Sequence, residues 1–105
     1  MQILLANAKI MFDKAERAPL STPLFQSTAD TLAAEMARMD VDELARQLDC
    51  SHKIAAENLK RYHAYATATK LPAVLAYNGQ AYKHLRAASL SNAALEYVQK
   101  HLWIT

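Results

Sequence analysis

The chain has 105 residues, 12 Lys+Arg against 10 Asp+Glu and 52% apolar residues, which bounds it to one small globular domain and excludes a disordered segment. One Gly and three Pro are too few turn formers for an all-β sandwich or barrel, whereas 21 Ala and 14 Leu predict a mainly α chain. A single cysteine, Cys50, excludes an internal disulfide and a cysteine zinc cluster; no apolar run approaches the roughly 18 residues of a membrane span, and Ile3 to Leu5 is too short for a signal peptide, so the expected setting is cytoplasmic.

In chain order, Gln2 to Ala6 reads as a short strand whose Ile3, Leu4 and Leu5 run too continuously for a half-exposed edge. Residues 9–22 show no periodicity and read as a surface loop. Thr22-Pro23 predicts a helix start, a hydroxyl cap followed by proline at the first helical position. Phe25, Ala29, Leu32, Met36 and Met39 then recur at helical spacing, as a core stripe. Asp40 and Glu43 form a capping box that opens a short helix with Val41, Leu44, Ala45 and Leu48 on its apolar side. After the break Asp49-Cys50-Ser51-His52, Ser51 caps a helix from His52 to about Ala66. Its apolar side is Ala55, Leu59, Tyr62 and Ala66; its polar side is Lys53, Glu57, Lys60 and Arg61. Pro72 ends that segment. Residues 73–85 read as helix broken near Asn78-Gly79, and Ser91 caps a last helix to about His101 with Leu95 and Val98 inward. Leu102-Trp103-Ile104 is β-prone. The expected architecture is therefore four to five helices, one helical hairpin among them, with short strands at both ends, in a single domain over residues 1–105.

Charge is unevenly spread. Residues 1–50 hold five basic and eight acidic side chains, and residues 51–105 hold seven basic and two acidic. A basic half points to a polyanion or an acidic protein surface, with an ordinary solvated helix face as the alternative. Ala-rich helices bury little area each, so a chain of this size is marginally stable and a second copy or further polypeptide is an expected partner.

One local pattern carries chemistry. Helix, short break, helix is the outline of a helix-hairpin-helix, in which the hairpin backbone and the start of the second helix meet a DNA phosphate. Cys50-Ser51-His52-Lys53-Ile54-Ala55 stands where that hairpin reads apolar-Gly-x-Lys-x-Ala, and Lys53 falls in the first turn of the second helix. The hairpin glycines are absent, so the turn has to use Asp49 or Ser51; a plain helical hairpin is the alternative. His52, His63, His84 and His101 lack metal-ligand spacing, and no metal is expected. Cys50 reads as a small apolar plug. Asn58, near the apolar flank of its helix, reads as a structural polar residue that ties down a neighbouring loop. No phosphate loop, nucleophile elbow or carboxylate pair marks catalysis, so no catalytic residue and no cofactor are expected.

Four segments in order resemble the YaaA family of peroxide-stress proteins. Met1-Gln2-Ile3-Leu4-Leu5-Ala6-Asn7-Ala8-Lys9 is similar to that family's opening strand and its Ser-Pro-Ala-Lys signature, with Ala6 and Asn7 in place of Ser-Pro. Cys50 to Tyr62 resembles its Ile-Ser-Asp-Lys-Leu-Ala…Asn…Arg-Phe/Tyr signature, with His52 in place of Asp. Pro72 to Tyr82 resembles its Ala-Phe-x-Gly-Asp-Val-Tyr signature, with Gln80 in place of Asp. Gln99 to Leu102 agrees with the helix that leads into the next family strand. The resemblance implies an α+β fold in the full family, a cytoplasmic role in limiting oxidative damage and free iron during peroxide stress, and duplex-DNA binding through a basic cleft and a helix-hairpin-helix. Family members are more than twice this length, so the resemblance is to their N-terminal part, and the remaining C-terminal part becomes an expected partner.

Together these readings predict a non-enzymatic duplex-DNA binder. Lys53, Lys60 and Arg61 contact phosphates, Ser51 and His52 shape the hairpin, Lys83 and Arg86 extend the basic surface, and Lys9 is carried over from the opening signature. A small helical protein-interaction or homodimerisation module without DNA binding is the alternative. A third reading, an enzyme completed by sequence outside this chain, is disfavoured by the two missing acids.

Overall fold

Polar caps and breaks set most of the helix boundaries in the computed structural model, which describes residues 1–105. The elements are β1 (Ile3–Leu5), α1 (Gln26–Ala37), α2 (Val41–Leu48), α3 (His52–His63), α4 (Ala73–Ala76), α5 (Gln80–Leu85), α6 (Asn92–His101) and β2 (Leu102–Ile104), with 3-10 turns at Tyr65–Thr67 and Ala87–Ser89. The chain is mainly α, with six helices of which α4 and α5 are the two halves of the stretch broken at Asn78-Gly79. No helix is long and apolar enough to cross a membrane. Residues 1–105 comprise two compact units: a terminal unit of Met1–Leu20 with Lys70–Thr105, and a central unit of Ser21–Thr69.

The central unit is a three-helix cluster in which α3 packs on both α2 and α1. Its core is Leu44 and Ala55, both fully buried, with Ala45. Met36, Met39, Val41, Leu48, Leu59 and Tyr62 surround these, and Cys50 joins them as the apolar plug. The capping box at α2 is complete: Glu43 N–H donates to Asp40 Oδ1 at 2.8 Å and Asp40 N–H to Glu43 Oε2 at 3.1 Å.

Three expectations are corrected here. Thr22-Pro23 does not cap α1. The Pro23 carbonyl closes a turn by accepting from Gln26 N–H at 3.2 Å, and the helix starts at Gln26 with no side-chain cap. The α1 stripe is core only at its C-terminal end: Phe25 is 70% and Leu32 54% exposed, while Ala33 is buried and Met36 half-buried. Ala33, next to Leu32, is the one buried residue of α1, and of the expected stripe only Met36 and Met39 pack on the core. Finally, α3 stops at His63 and the chain tightens into the Tyr65–Thr67 turn. There Tyr65 Oη donates to Asp30 Oδ1 at 3.0 Å and accepts from Gln26 Nε2 at 3.1 Å, leaving Ala66 exposed.

In the terminal unit the two predicted strands pair with each other, in parallel and in the register Ile3–Leu102, Leu4–Trp103, Leu5–Ile104. Thr105 N–H to the Leu5 carbonyl at 2.9 Å and Asn7 N–H to the Thr105 carbonyl at 3.1 Å extend the ladder. Side chains alternate across a strand. Leu5, Leu102 and Ile104 are accordingly half-buried, while Leu4 is 74% and Trp103 51% exposed; β1 is not the buried strand its continuous apolar run predicts. The expected loop also makes a short antiparallel contact. Phe12 N–H donates to the Ala76 carbonyl at 2.7 Å, and Asn78 N–H to the Ile10 carbonyl at 2.9 Å. Ser91 caps α6 by accepting from Ala94 N–H at 3.2 Å, with Leu95 and Val98 half-buried.

Candidate nucleic-acid interface

A hairpin without glycine needs another residue at the left-handed position that ends its first helix. Asp49 takes it, with φ 50° and ψ 54°. Cys50 N–H then reaches the Ala45 carbonyl at 3.1 Å and Asp49 N–H the Arg46 carbonyl at 3.3 Å. That is a Schellman motif with aspartate in the glycine position. Asp and Asn visit this conformation more readily than other non-Gly residues. Only Cys50 and Ser51 then separate the left-handed residue from α3.

Ser51 is the N-cap of α3. Its Oγ accepts from Ile54 N–H at 3.2 Å, and its carbonyl accepts from Ala55 N–H at 2.9 Å. The N–H groups of His52 and Lys53 have no partner inside the helix and point out of its N-terminus, the positive end of the helix dipole. His52 is exposed and holds Asp42 of α2 at 3.1 Å, Nδ1 to Oδ1. That contact ties the start of α3 to the start of α2.

Lys53, Lys60 and Arg61 are exposed and share one side of α3 with Glu57. At 100° per residue the four fall within an arc of about 100°. Their cations span roughly 12 Å along the axis at 1.5 Å per residue. Arg61 donates from a guanidinium nitrogen to Asn58 Oδ1 at 3.2 Å, and Asn58 Nδ2 donates to the Ile54 carbonyl at 2.9 Å. Asn58 therefore ties no neighbouring loop. It is half-buried on its own helix and steadies Arg61 from one turn away.

The other expected residues lie in the terminal unit. Lys83 is exposed on α5. Arg86 ends α5 in the left-handed region, φ 49° and ψ 52°, with its side chain exposed and its carbonyl accepting from Ser89 Oγ at 2.7 Å. Lys9 is exposed just beyond β1. The structural division also redraws the charge map. The central unit carries five basic and seven acidic side chains, and the terminal unit seven basic and three acidic. Net positive charge thus belongs to the terminal unit, and the hairpin is basic only along the exposed side of α3.

Sequence reading missed two features. One is the Asp42–His52 pair, whose only signal is an acid in the first turn of one helix and a histidine at the first position of the next. The other is a pocket of about 370 Å³ in the terminal unit, between residues 5–10 and residues 78–82. Gly79 and Tyr82 hold those two segments together. A Cβ at Gly79 would lie 3.0 Å from Ala8 Cβ, and Tyr82 Oη donates to the Ala6 carbonyl at 2.7 Å. No three His, Cys, Asp or Glu side chains gather in either unit.

Over residues 1–105 the chain matches the family model described as peroxide stress protein YaaA. It is 42% identical over 109 aligned residues to a UPF0246 protein of Bacteroides thetaiotaomicron, covering 100% of this chain and 42% of that protein. A UPF0246 protein of Parabacteroides distasonis is 36% identical over 106 residues, 97% of this chain and 42% of the relative. One of Dinoroseobacter shibae is 36% identical over 100 residues, 91% of this chain and 38% of the relative. The chain thus spans about two-fifths of the length of these relatives.

Proposed function

This chain belongs to the YaaA family of peroxide stress proteins, and from that premise we propose that it is a non-enzymatic, cytoplasmic binder of duplex DNA that acts through the α2–α3 hairpin. The observation that carries the reading is the grouping of Lys53, Lys60 and Arg61 along the exposed side of α3, beside the open N-terminus that Ser51 caps. Such a helix start receives a phosphate, and the three cations follow the backbone away from it. These contacts position a protein on DNA without reading its sequence. The net positive terminal unit, Lys83 and Arg86 included, raises the local concentration of polyanion. Asp42, Glu43 and Asp49 oppose it, which sets the affinity in the non-specific range of about 10⁻⁴ to 10⁻⁶ M.

The test is a salt titration of duplex binding. Three phosphate contacts predict a slope of log K against log salt of roughly −2.7. Each cation of the terminal unit that also reaches a phosphate steepens it by about 0.9. Lys53→Ala and Arg61→Ala each lower the slope by about one and weaken all sequences alike. Lys14→Ala, which removes a cation outside the hairpin, lowers it by less than either. No binding at low salt, or a Lys14→Ala effect as large as that of Lys53→Ala, sinks the reading.

A second reading is favoured by the bare face of the β1–β2 pair, where Leu4 and Trp103 stand 74% and 51% exposed. Here the chain is a protein-interaction or homodimerisation module that uses this face, and α3 is only solvated. Failure of the DNA titration, together with self-association lost in Leu4→Ser, supports it.

A further inference from the structure

We propose that the Asp42–His52 pair is a proton-operated switch on DNA binding by the α2–α3 hairpin. With the imidazole neutral, the pair carries one negative charge at the start of α3 and opposes a phosphate there. With the imidazole protonated, the pair is neutral and the phosphate is admitted. The inference rests on the hairpin reading and adds its regulation.

Histidine is the side chain whose charge changes between about pH 5 and 8. Three of the four histidines give a ring nitrogen to a backbone carbonyl: His63 to Ala37 at 2.8 Å, His84 to Gln80 at 2.8 Å and His101 to Met1 at 2.7 Å. His52 alone meets a carboxylate, Nδ1 to Asp42 Oδ1 at 3.1 Å. It is also the first residue of α3, and its own N–H is one of those that open on the helix N-terminus. The ring that changes charge thus belongs to the residue that offers the phosphate an N–H.

The other charges near the ring keep their sign over this range and cancel. On α2, Asp42 faces the ring and Arg46 lies one turn further on. In the turn, Asp49 precedes His52 by three residues, and on α3 Lys53 follows it. The bond from α1 to α3 is at the other end of that helix, between the Ala37 carbonyl and His63. Asp42 and Asp49 against Arg46 and Lys53 leave the local balance to the imidazole. Both members of the pair are exposed, with side chains 71% and 67% accessible. Protons and polyanion therefore reach them freely, and the pair acts through its charge, an effect that salt weakens.

Two routes bring the pair to zero charge: protonating His52, or replacing Asp42 by asparagine. They should act alike. One unit of charge at a phosphate contact alters the salt slope by about 0.9, which is up to about tenfold in affinity at roughly 50 mM salt.

The experiment is fluorescence anisotropy of a labelled duplex in that salt, at pH 8 and at pH 5.5. It uses the 105-residue chain and its His52→Gln, Asp42→Asn, His84→Gln and Lys53→Ala variants. The unsubstituted chain should bind more tightly at pH 5.5, by up to about tenfold. His52→Gln should remove most of that gain, and His84→Gln should keep it. Asp42→Asn at pH 8 should bind about as tightly as the unsubstituted chain at pH 5.5, and more tightly still on acidification. A flat pH profile would overturn the proposal. So would a gain that survives in His52→Gln, or an Asp42→Asn variant no tighter at pH 8. If Lys53→Ala still weakens binding in those cases, the hairpin reading stands without its switch. No binding by the unsubstituted chain at either pH would sink both. Because Asp42 and His52 are exposed, their variants should keep the fold, which melting curves at both pH values check.

Discussion

Two residues show how single side chains set the properties of each unit. Asp49 does a glycine's work at the end of α2, in a left-handed conformation that costs a non-Gly residue about 1–2 kcal/mol, and it places a carboxylate within three residues of the α3 start. Asp49→Gly removes both the strain and the like charge that a phosphate would meet. We expect a gain of about 1 kcal/mol in urea unfolding together with tighter DNA binding. A loss of stability would show that the Asp49 carboxylate makes a compensating contact. In the terminal unit, burial pushes the Tyr82 hydroxyl above its ordinary value of 10.0, and the neighbouring Tyr77 adds to the shift. The folded state then holds the Tyr82 proton more tightly than the unfolded state, so stability is constant below pH 10 or so and falls as pH rises beyond it. Tyr82→Phe removes the bond to the Ala6 carbonyl at a cost of about 1 kcal/mol. It should also flatten the alkaline limb of a melting-temperature profile between pH 8 and 11. An unchanged limb in the variant would assign that loss to other groups; Tyr65, raised by burial and by its bond to Asp30, is the other tyrosine that titrates high.

Among the elements, the α2–α3 hairpin is the best specified. Its start, turn and second start each rest on a named polar group: the Asp40–Glu43 box, the left-handed Asp49 and the Ser51 cap. Its packing rests on Leu44, the one large side chain that is fully buried. Caps and core contribute on different scales. Asp40→Ala should cost about 1 kcal/mol, whereas Leu44→Ala should cost about 2–5 kcal/mol, because Ala45 and Ala55 beside it are too small to fill the cavity. Urea midpoints measured at constant m-value compare the two directly. Equal costs would mean that the hairpin relaxes around the lost leucine. The β1–β2 pair stands at the other extreme. Parallel sheets are normally covered on both faces, and here one face carries Leu4 and Trp103 in the open.

At the scale of the whole molecule, few side chains are fully buried and many large apolar ones are exposed. Met1, Leu4, Ile10, Leu20, Leu24 and Phe25 are each more than 60% exposed. Apolar surface of that extent promotes association. We expect the isolated chain to self-associate in sedimentation experiments and to melt below about 65 °C, the upper end of the usual mesophilic range, at a temperature that rises with protein concentration. A monomer with a sharp, concentration-independent melt above that temperature would contradict this. Charge behaves differently at this scale as well. Of the excess of five basic over acidic side chains in residues 51–105, three belong, once the chain is folded, to a unit that draws on both ends of the sequence, and two to α3 in the central unit.

What the amino-acid sequence determined by itself was local and was written in polar punctuation. The Asp40–Glu43 box, the Ser51 and Ser91 caps, the break at Asn78-Gly79 and the two terminal strands were legible because each depends on residues within a few positions of one another. The exposed line of Lys53, Lys60 and Arg61 was legible for the same reason, since helical periodicity alone puts them together. Tertiary structure decided what depends on distant partners. It exposed Phe25 and Leu32, because helical spacing states that a stripe is apolar but not which part of it a neighbour covers. It paired β1 with β2 and brought Asn78-Gly79 against residues 6–10. And it separated Lys9, Lys83 and Arg86 from the α3 cations into another unit. None of these has a local signal, since each is set by the packing of segments tens of residues apart.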